Sequence, residues 1–427
     1  MRIGLEVHVA LPVRTKLFCG DLAYENQDEP NSNICPVCLG LPGSKPVLNK
    51  KALDVSASIA NALNCHVSER TWFVRKVYFY PDLPKGYQIT QLDGAVGMDG
   101  YVRIDGKKVR IRRVQIEEDP ARITREKQYS LIDFNRSGVP LNEIVTEPDI
   151  ESLEEMREFV EELRSILYYQ GVNINQELKI DLNISLAENR VEIKNITGIK
   201  NLVSAAEYEI KRQSALIAGG KGVRTETRTY KEDSAETVPA REKETEEEYG
   251  FIFEPDLTFY DTSRIRIDAP TIASAVAAEM AVKNGYSEKT IRELVMFDKK
   301  NLQLLSRLQK DSFRKGIALI EKFASFGITG FSDRDFDRML EYDVSLLDRE
   351  SFVSLFNGEQ PQEKSDKSGM EEEIRKMIMS DSGLSARAAK DEKARSFLIG
   401  RIKSKYHVTA KEAAMLIDKV IKGISNS

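Results

Sequence analysis

GLEVHVAL, residues 4–11, sets a glutamate and a histidine two positions apart in an otherwise apolar stretch. Side chains of a β-strand alternate between its faces, so Glu6 and His8 point one way while Leu5, Val7 and Val9 point the other. Taken alone, the pattern is that of a half-exposed strand in an antiparallel sheet.

Other stretches repeat the split. In KIDLNISL (179–186), Lys179, Asp181, Asn183 and Ser185 share a face, against Ile180, Leu182, Ile184 and Leu186. In NRVEIKN (189–195), Arg190, Glu192 and Lys194 oppose Val191 and Ile193, and a short turn joins the two strands into a hairpin with one wholly polar face. In RRVQIEEDP (112–120), Gln115 and Glu117 oppose Val114 and Ile116, with Glu118 on the other parity. If these strands belong to one sheet, the carboxylates of Glu6, Glu117, Asp181 and Glu192 converge beside His8, and divalent cations relieve their repulsion. Mg²⁺ takes a few carboxylates together with phosphate oxygens, and Lys179, Arg190 and Lys194 suit a polyphosphate. That is the equipment of phosphoryl transfer, where positioning and charge neutralisation do most of the work; a solvated sheet face is the competing reading. YFYPDLPKGYQIT (78–90) adds a rigid loop with Lys85 at its tip, which reads equally as a substrate loop or a packed structural turn. Neither the Walker-type phosphate loop nor the dinucleotide-binding glycine motif occurs.

At 427 residues the chain predicts two or three domains. Apolar residues make up 41% and charged residues 31%, the mean hydropathy is -0.39, and no apolar run approaches the roughly 18 residues of a membrane helix. MRIGLEVHV enters a strand pattern at once, leaving no signal peptide, so a soluble cytoplasmic protein without a membrane contact is expected. The net charge of -5 hides a basic C-terminal segment: ten Lys or Arg against four acids between Arg387 and Lys422. Around 243–251, KETEEEYGF is an acidic counterpart of the kind usually found on solvated loops.

Cys19, Cys35, Cys38 and Cys65 all fall in the first 65 residues. The two-residue gap in CPVC lets Cys35 and Cys38 reach one zinc ion, with Cys19 as a third ligand and Asp21, Cys65 or His66 as candidates for the fourth. Inert thiols are the alternative; a redox pair is disfavoured because LGLPG, rather than a helix, follows the motif.

Residues 1–262 read as short strands broken by helices near 51–64, 152–170 and 203–218, the second opened by a capping box of Ser152 and Glu155. From about 271 onward the pattern is helical. The polar stretch 357–369 reads as a linker to a small basic helical module. The expected class is α+β, with a mainly antiparallel cradle over 1–265, a helical domain over 266–356, the linker, and a tail domain over 370–427.

Together GLEVHVAL, NSNICPVCLGLPGSKPVLNKKAL, RKVYFYPDLPKGYQIT, IEEDPARI, SLIDFNRSGVPLNEIV, DLNISL, RVEIKN and FEPDL resemble, in order, the B subunits of tRNA-dependent amidotransferases. The resemblance covers almost all of 3–257 and thins beyond 260 to a helical plan and a tail similar to that family's tRNA-binding module. It implies a cradle like those of glutamine synthetase and guanidino kinases. It also implies a ligase in which ATP, with Mg²⁺, phosphorylates the side-chain carboxylate of misacylated Asp-tRNA(Asn) or Glu-tRNA(Gln), and ammonia then displaces phosphate. The ammonia comes through a channel from a glutaminase (amidase) A subunit, with a small C subunit completing a heterotrimer; a non-catalytic tRNA-binding scaffold is the alternative. Carried over, Glu6, His8, Glu117, Glu118, Asp181 and Glu192 form the metal and phosphate constellation, Lys85, Arg190 and Lys194 contact nucleotide or carboxylate, and Cys19, Cys35, Cys38 and Asp21 hold Zn²⁺. Zinc-binding members have a cysteine where Asp21 stands.

Overall fold

The structure, a computed structural model, describes residues 1–23, 29–173, 175–176, 178–240, 250–344, 347–359, 370–379, 396–402 and 410–425. The chain divides into two compact units, Met1–Val276 and Ala277–Ser427.

The first unit is built on strands β1 (Arg2–Ala10), β2 (His66–Val67), β3 (Arg70–Thr71), β4 (Val74–Val77), β5 (Tyr87–Thr90), β6 (Gly97–Ile104), β7 (Lys107–Glu118), β8 (Arg122–Arg125), β9 (Ser130–Asp133), β10 (Pro140–Thr146), β11 (Lys179–Ser185), β12 (Val191–Thr197), β13 (Glu226–Lys231), β14 (Glu236–Pro239), β15 (Gly250–Phe253) and β16 (Tyr260–Asp261). Nine of them make one sheet in the order β14-β13-β12-β11-β1-β10-β7-β6-β2. Its pairs are antiparallel except β12 with β13. The opening strand thus lies in the middle, with Glu6 opposite both Val145 and Asp181, and His8 opposite both Glu143 and Lys179.

Three helices, α1 (Lys50–Ala62), α2 (Leu153–Tyr169) and α3 (Gly198–Ala218), share one core with the sheet. Ile3, Leu5, Val7 and Val9 are 0 to 1% exposed in it, each contributing roughly 1.5–3 kcal/mol of apolar burial. Ile180, Leu182, Ile184, Val191, Ile193, Val114, Ile116 and Ile144 extend the same layer across the neighbouring strands. The alternation read from the sequence therefore describes one continuous apolar face.

Two bulges interrupt it. On β12 the pairing steps from Ile180↔Ile196 to Leu182↔Ile193, so Lys194 and Asn195 together oppose Asp181, and Asn195 takes φ 65°. On β7 the pairing to β10 shifts between Val145 and Thr146, so that Ile111 and Val114 both reach the core while Arg112 and Arg113 do not. A bulge re-aims side chains in this way without breaking the sheet.

Ser152 caps α2 by accepting the Glu155 amide at 3.1 Å. The reverse half of the expected box is missing, because Glu155 Oε2 instead accepts the Glu151 amide at 2.9 Å and Lys107 Nζ at 2.8 Å. From residue 273 onward the described elements are helices. Phe323 of the helix Lys310–Phe326 stacks on Phe331 at 4.0 Å between centroids. Farther along, Ile374, Leu398, Ile402, Ala413, Ile417 and Val420 form a small separate core. Of the expected linker, 360–369 lie outside the described residues, as do Arg387, Lys390, Lys393, Arg395, Lys403 and Lys405 of the basic segment and 243–249 of the acidic one. No helix among the described residues is long and apolar enough to cross a membrane.

At Gly100 an added Cβ would collide with Cys65 Sγ and stand 2.5 Å from the Leu63 carbonyl oxygen. Gly100→Ala is therefore expected to destabilise the first unit by about 1–3 kcal/mol through overpacking, read as a lowered denaturation midpoint at unchanged slope.

Candidate carboxylate site and cysteine cluster

The sheet face away from the helices collects most of the side chains singled out above. Ligand oxygens of Glu6, Asp181 and Glu192 lie within 4.8 Å of one another. Their negative charge is met from inside the cluster. Lys194 Nζ, presented by the β12 bulge, lies 2.9 Å from Asp181 Oδ2 and 2.8 Å from Glu192 Oε1. Asn183 Nδ2 donates to Glu6 Oε1 at 3.0 Å, and Thr227 Oγ1 to Glu192 Oε2 at 2.9 Å. Burial works against the charge of Lys194, but the two carboxylates outweigh it and hold the ammonium firmly protonated.

Along the same face His8 Nδ1 lies 3.0 Å from Glu117 Oε1. Burial opposes charging the imidazole; the hydrogen bond and charge of Glu117, helped by Glu143 and Asp181, prevail and raise its pKa to about 9. Glu117 is correspondingly depressed, its own burial being outweighed by His8. Next to this pair is Glu143 of β10, a residue the sequence reading did not single out. Burial, then repulsion from Glu117, pushes it up to about 7. The side-chain amide of Gln115 donates to it. Glu143 sits in LNEIV, where it is the lone acid of a wholly buried strand, and that was the one available signal.

Glu118 does not join the constellation. β7 has no irregularity at this point, so successive residues point to opposite faces. The Glu118 carboxylate instead accepts from Lys85 Nζ at 2.5 and 2.6 Å and from the Ile89 amide at 2.8 Å. Lys85 is thereby engaged with Glu118, and of the two neighbouring acids it is Glu117 that faces His8 while Glu118, on the opposite parity, turns away. Arg190 is exposed at the start of β12. Asp119, just past β7, lies 3.2 Å from Arg136 Nε and 3.8 Å from Lys179 Nζ.

The second cluster forms where the segment after β1 meets CPVC. Ligand atoms of Cys19, Asp21, Cys35 and Cys38 lie within 4.8 Å of one another. The other two candidates for the fourth position are elsewhere: Cys65 is buried against Gly100, and His66 is in β2 at the sheet's edge. Cys38 Sγ is 3.3 Å from Asp21 Oδ2, accepts the Cys35 amide at 3.1 Å, and lies 3.6 Å from Nζ of Lys16. A hydrogen bond from Cys19 leads the causes that bring Cys38 down to about 6, with the Cys35 amide and the Lys16 charge adding to it against burial. Lys16 is 0% exposed, and its ammonium is satisfied by the Asn33 carbonyl at 2.9 Å. A lysine directly before Leu17 and Phe18, three residues before Cys19, was the missed clue. Three thiols and a carboxylate are a donor set that fits zinc; three carboxylate oxygens fit a hard cation such as Mg²⁺. Between the cysteines, Lys85, Glu118 and Asp256 lies a cavity of about 570 Å³, including its part open to solvent.

The fold and these clusters define an α+β domain with an acid-lined sheet face and a cysteine-rich corner. Residues 1–268 match the GatB/GatE catalytic domain, and the chain belongs to that family. The B subunit of the aspartyl/glutamyl-tRNA(Asn/Gln) amidotransferase of Methanoregula boonei is 46% identical over 269 residues, 60% of this chain and 56% of that relative. Its counterpart in Saccharolobus solfataricus is 48% identical over 275 residues, 61% and 58% of the two chains. That of Sulfolobus acidocaldarius is 42% identical over 332 residues, 73% and 70%. The match thus takes in little more than half the length of the first two.

Two raised groups give a signed pH dependence. Glu143 keeps its proton in the folded state up to about 7, whereas the unfolded chain releases it near 4.5, so stability falls as pH rises between those values, by roughly 1–3 kcal/mol. His8 stabilises fully below 6.5 and loses that contribution as pH rises through about 9. Denaturant titrations in chelator are expected to show Glu143→Gln flattening the first window and narrowing the second only in part, because Glu117 and Asp181 still hold the His8 proton.

Proposed function

We propose that this chain acts as the B subunit of a tRNA-dependent amidotransferase, catalysing ATP-dependent activation of the side-chain carboxylate of misacylated Asp-tRNA(Asn), Glu-tRNA(Gln) or both. The observation that carries the reading is the convergence of Glu6, Asp181 and Glu192 within 4.8 Å on the open face of the sheet, inside the segment that matches the family. The antiparallel-dominated sheet supports the likeness to the cradles of glutamine synthetase and guanidino kinases.

In the proposed reaction a carboxylate oxygen of the aminoacyl group attacks the γ-phosphorus of ATP, and the bond to the bridging oxygen breaks to release ADP. Ammonia then attacks the carbonyl carbon of the acyl phosphate, a proton leaves the nitrogen, and phosphate departs with its electron pair. Mg²⁺, held by Glu6, Asp181 and Glu192, supplies charge neutralisation for the polyphosphate. Lys194 keeps those carboxylates from repelling one another, and the His8–Glu117 ion pair lies next to them without adding net charge. Asn183 and Thr227 orient Glu6 and Glu192. Activation is needed because a carboxylate resists ammonia, whereas its mixed anhydride with phosphate has a good leaving group. The ammonia comes from a glutaminase A subunit, a small C subunit completes the complex, and the basic C-terminal module binds tRNA. Zn²⁺ held by Cys19, Asp21, Cys35 and Cys38 ties the loop after β1 to the CPVC turn.

With partner subunits present, Asp181→Ala or Glu6→Ala is expected to lower ATP-dependent amidation by about 100-fold or more while glutamine hydrolysis by the partner continues; unchanged amide formation overturns the catalytic reading. For zinc, elemental analysis of protein purified without chelator is expected to give close to one equivalent, and Cys38→Ser to reduce it by about tenfold or more.

A further inference from the structure

We propose that Arg113 binds the phosphoryl group in transfer, facing the carboxylate cluster across the sheet. This rests on the kinase reading above and adds a residue to it.

The placement follows from register. One row across the sheet runs Arg113 on β7, Val145 on β10, Glu6 on β1 and Asp181 on β11, then the bulge residues Lys194 and Asn195 on β12. Within this stretch of the row a bulge lies beside each cation, at Arg112 next to Arg113 and at Asn195 next to Lys194, and both cations share the open face with the acids. Arg113 and Glu6 are two strand spacings apart, roughly 10 Å between backbones. The position between them is Val145, 6% exposed, whose short apolar side chain offers no charge to either.

The two cations differ in how they are engaged. Lys194 is closed between Asp181 and Glu192. Arg113 uses only Nε, which donates to Gln115 Oε1 at 2.7 Å, and its two terminal amino groups make no hydrogen bond or ion pair among the described residues. Other arginines of the same strand are closed off: Arg110 forks onto Asp149 at 2.8 and 2.6 Å, and Arg112 onto Glu147 at 2.8 and 3.0 Å. Gln115 is itself fixed, since its amide donates to Glu143 and to Thr90 Oγ1, the latter at 3.4 Å. The chain Glu143–Gln115–Arg113 therefore holds a half-buried guanidinium by one edge and leaves the other edge for an anion. A planar fork of N–H groups suits two phosphoryl oxygens, and such contacts gain most when charge spreads over those oxygens in transfer.

The test uses the full-length chain with its partner subunits and, as probe, Mg·ADP with and without aluminium fluoride, followed by calorimetry. The wild type is expected to bind Mg·ADP and to bind more tightly when aluminium fluoride is added. R113Q should keep the Mg·ADP affinity and the melting temperature, lose the aluminium fluoride enhancement, and lower kcat for amidation by about 100- to 1,000-fold with KM for ATP little changed. R113K should share the defect, and added guanidinium should restore part of the activity of R113A. An aluminium fluoride response in R113Q equal to the wild type overturns the assignment, and a raised KM for aminoacyl-tRNA alongside it moves Arg113 to the substrate carboxylate. Loss of Mg·ADP binding in R113Q and R113K alike makes Arg113 a scaffold residue and also overturns it. Failure of the wild type itself to bind Mg·ADP overturns the kinase reading, and this assignment falls with it.

Discussion

A strand hydrogen-bonded on both sides in the middle of a sheet has no freedom to choose which way its side chains face. β1 is in that position, between β10 and β11, and its alternation is pinned by four fully buried residues, Ile3, Leu5, Val7 and Val9. Slipping the register by one residue would send Glu6 and His8 into the helix-covered core and Leu5 and Val7 into water. Burial of one face thus fixes the chemistry of the other. Every acid on the open face owes its position to an apolar neighbour on the closed one.

Crowding carboxylates on that face creates an electrostatic problem that the protein answers with its own groups. Lys194 bridges two of the carboxylates, Asn183 donates to the third, and the imidazole of His8 pairs with Glu117. The low dielectric near a buried sheet strengthens each of these contacts and makes any unpaired member costly. This explains why His8 and Glu143, both interacting with the ionised Glu117, have raised pKa values.

The cysteine corner follows a different rule. Its donors come from two loop segments and not from a regular strand; the first is pinned by backbone bonds such as Leu17 N to the Gly138 carbonyl and Asn49 N to the Leu17 carbonyl, and Lys16 Nζ reaches from it to the Asn33 carbonyl beside the second. The buried ammonium of Lys16 supplies positive charge next to three sulfurs and one carboxylate. An aspartate at position 21 hardens the donor set relative to four thiolates, which lowers its preference for soft metals.

Alternation alone was enough to read β1, β7, β11 and β12 as strands with one polar face, and the Cys-x-x-Cys spacing was enough to pair Cys35 with Cys38, because period two and short-range reach are local properties of the chain. The membership of Glu6, Asp181 and Glu192 in one cluster was an inference that depended on the strands sharing a sheet, and only their pairing supplied it. Glu118 shows the limit: its opposite parity to Glu117 was legible, but its pairing with Lys85, a partner 33 positions away, was not. Glu143, Lys16 and Arg113 were illegible for the same reason, since their meaning comes from neighbours on other strands and loops. The two bulges complete the division. Alternation already put Lys194 on the face of Glu192, but a pattern of period two cannot announce where the period fails: the breaks beside Arg112 and Asn195, and the closure of Lys194 on Asp181 as well as Glu192, were decided by strand pairing.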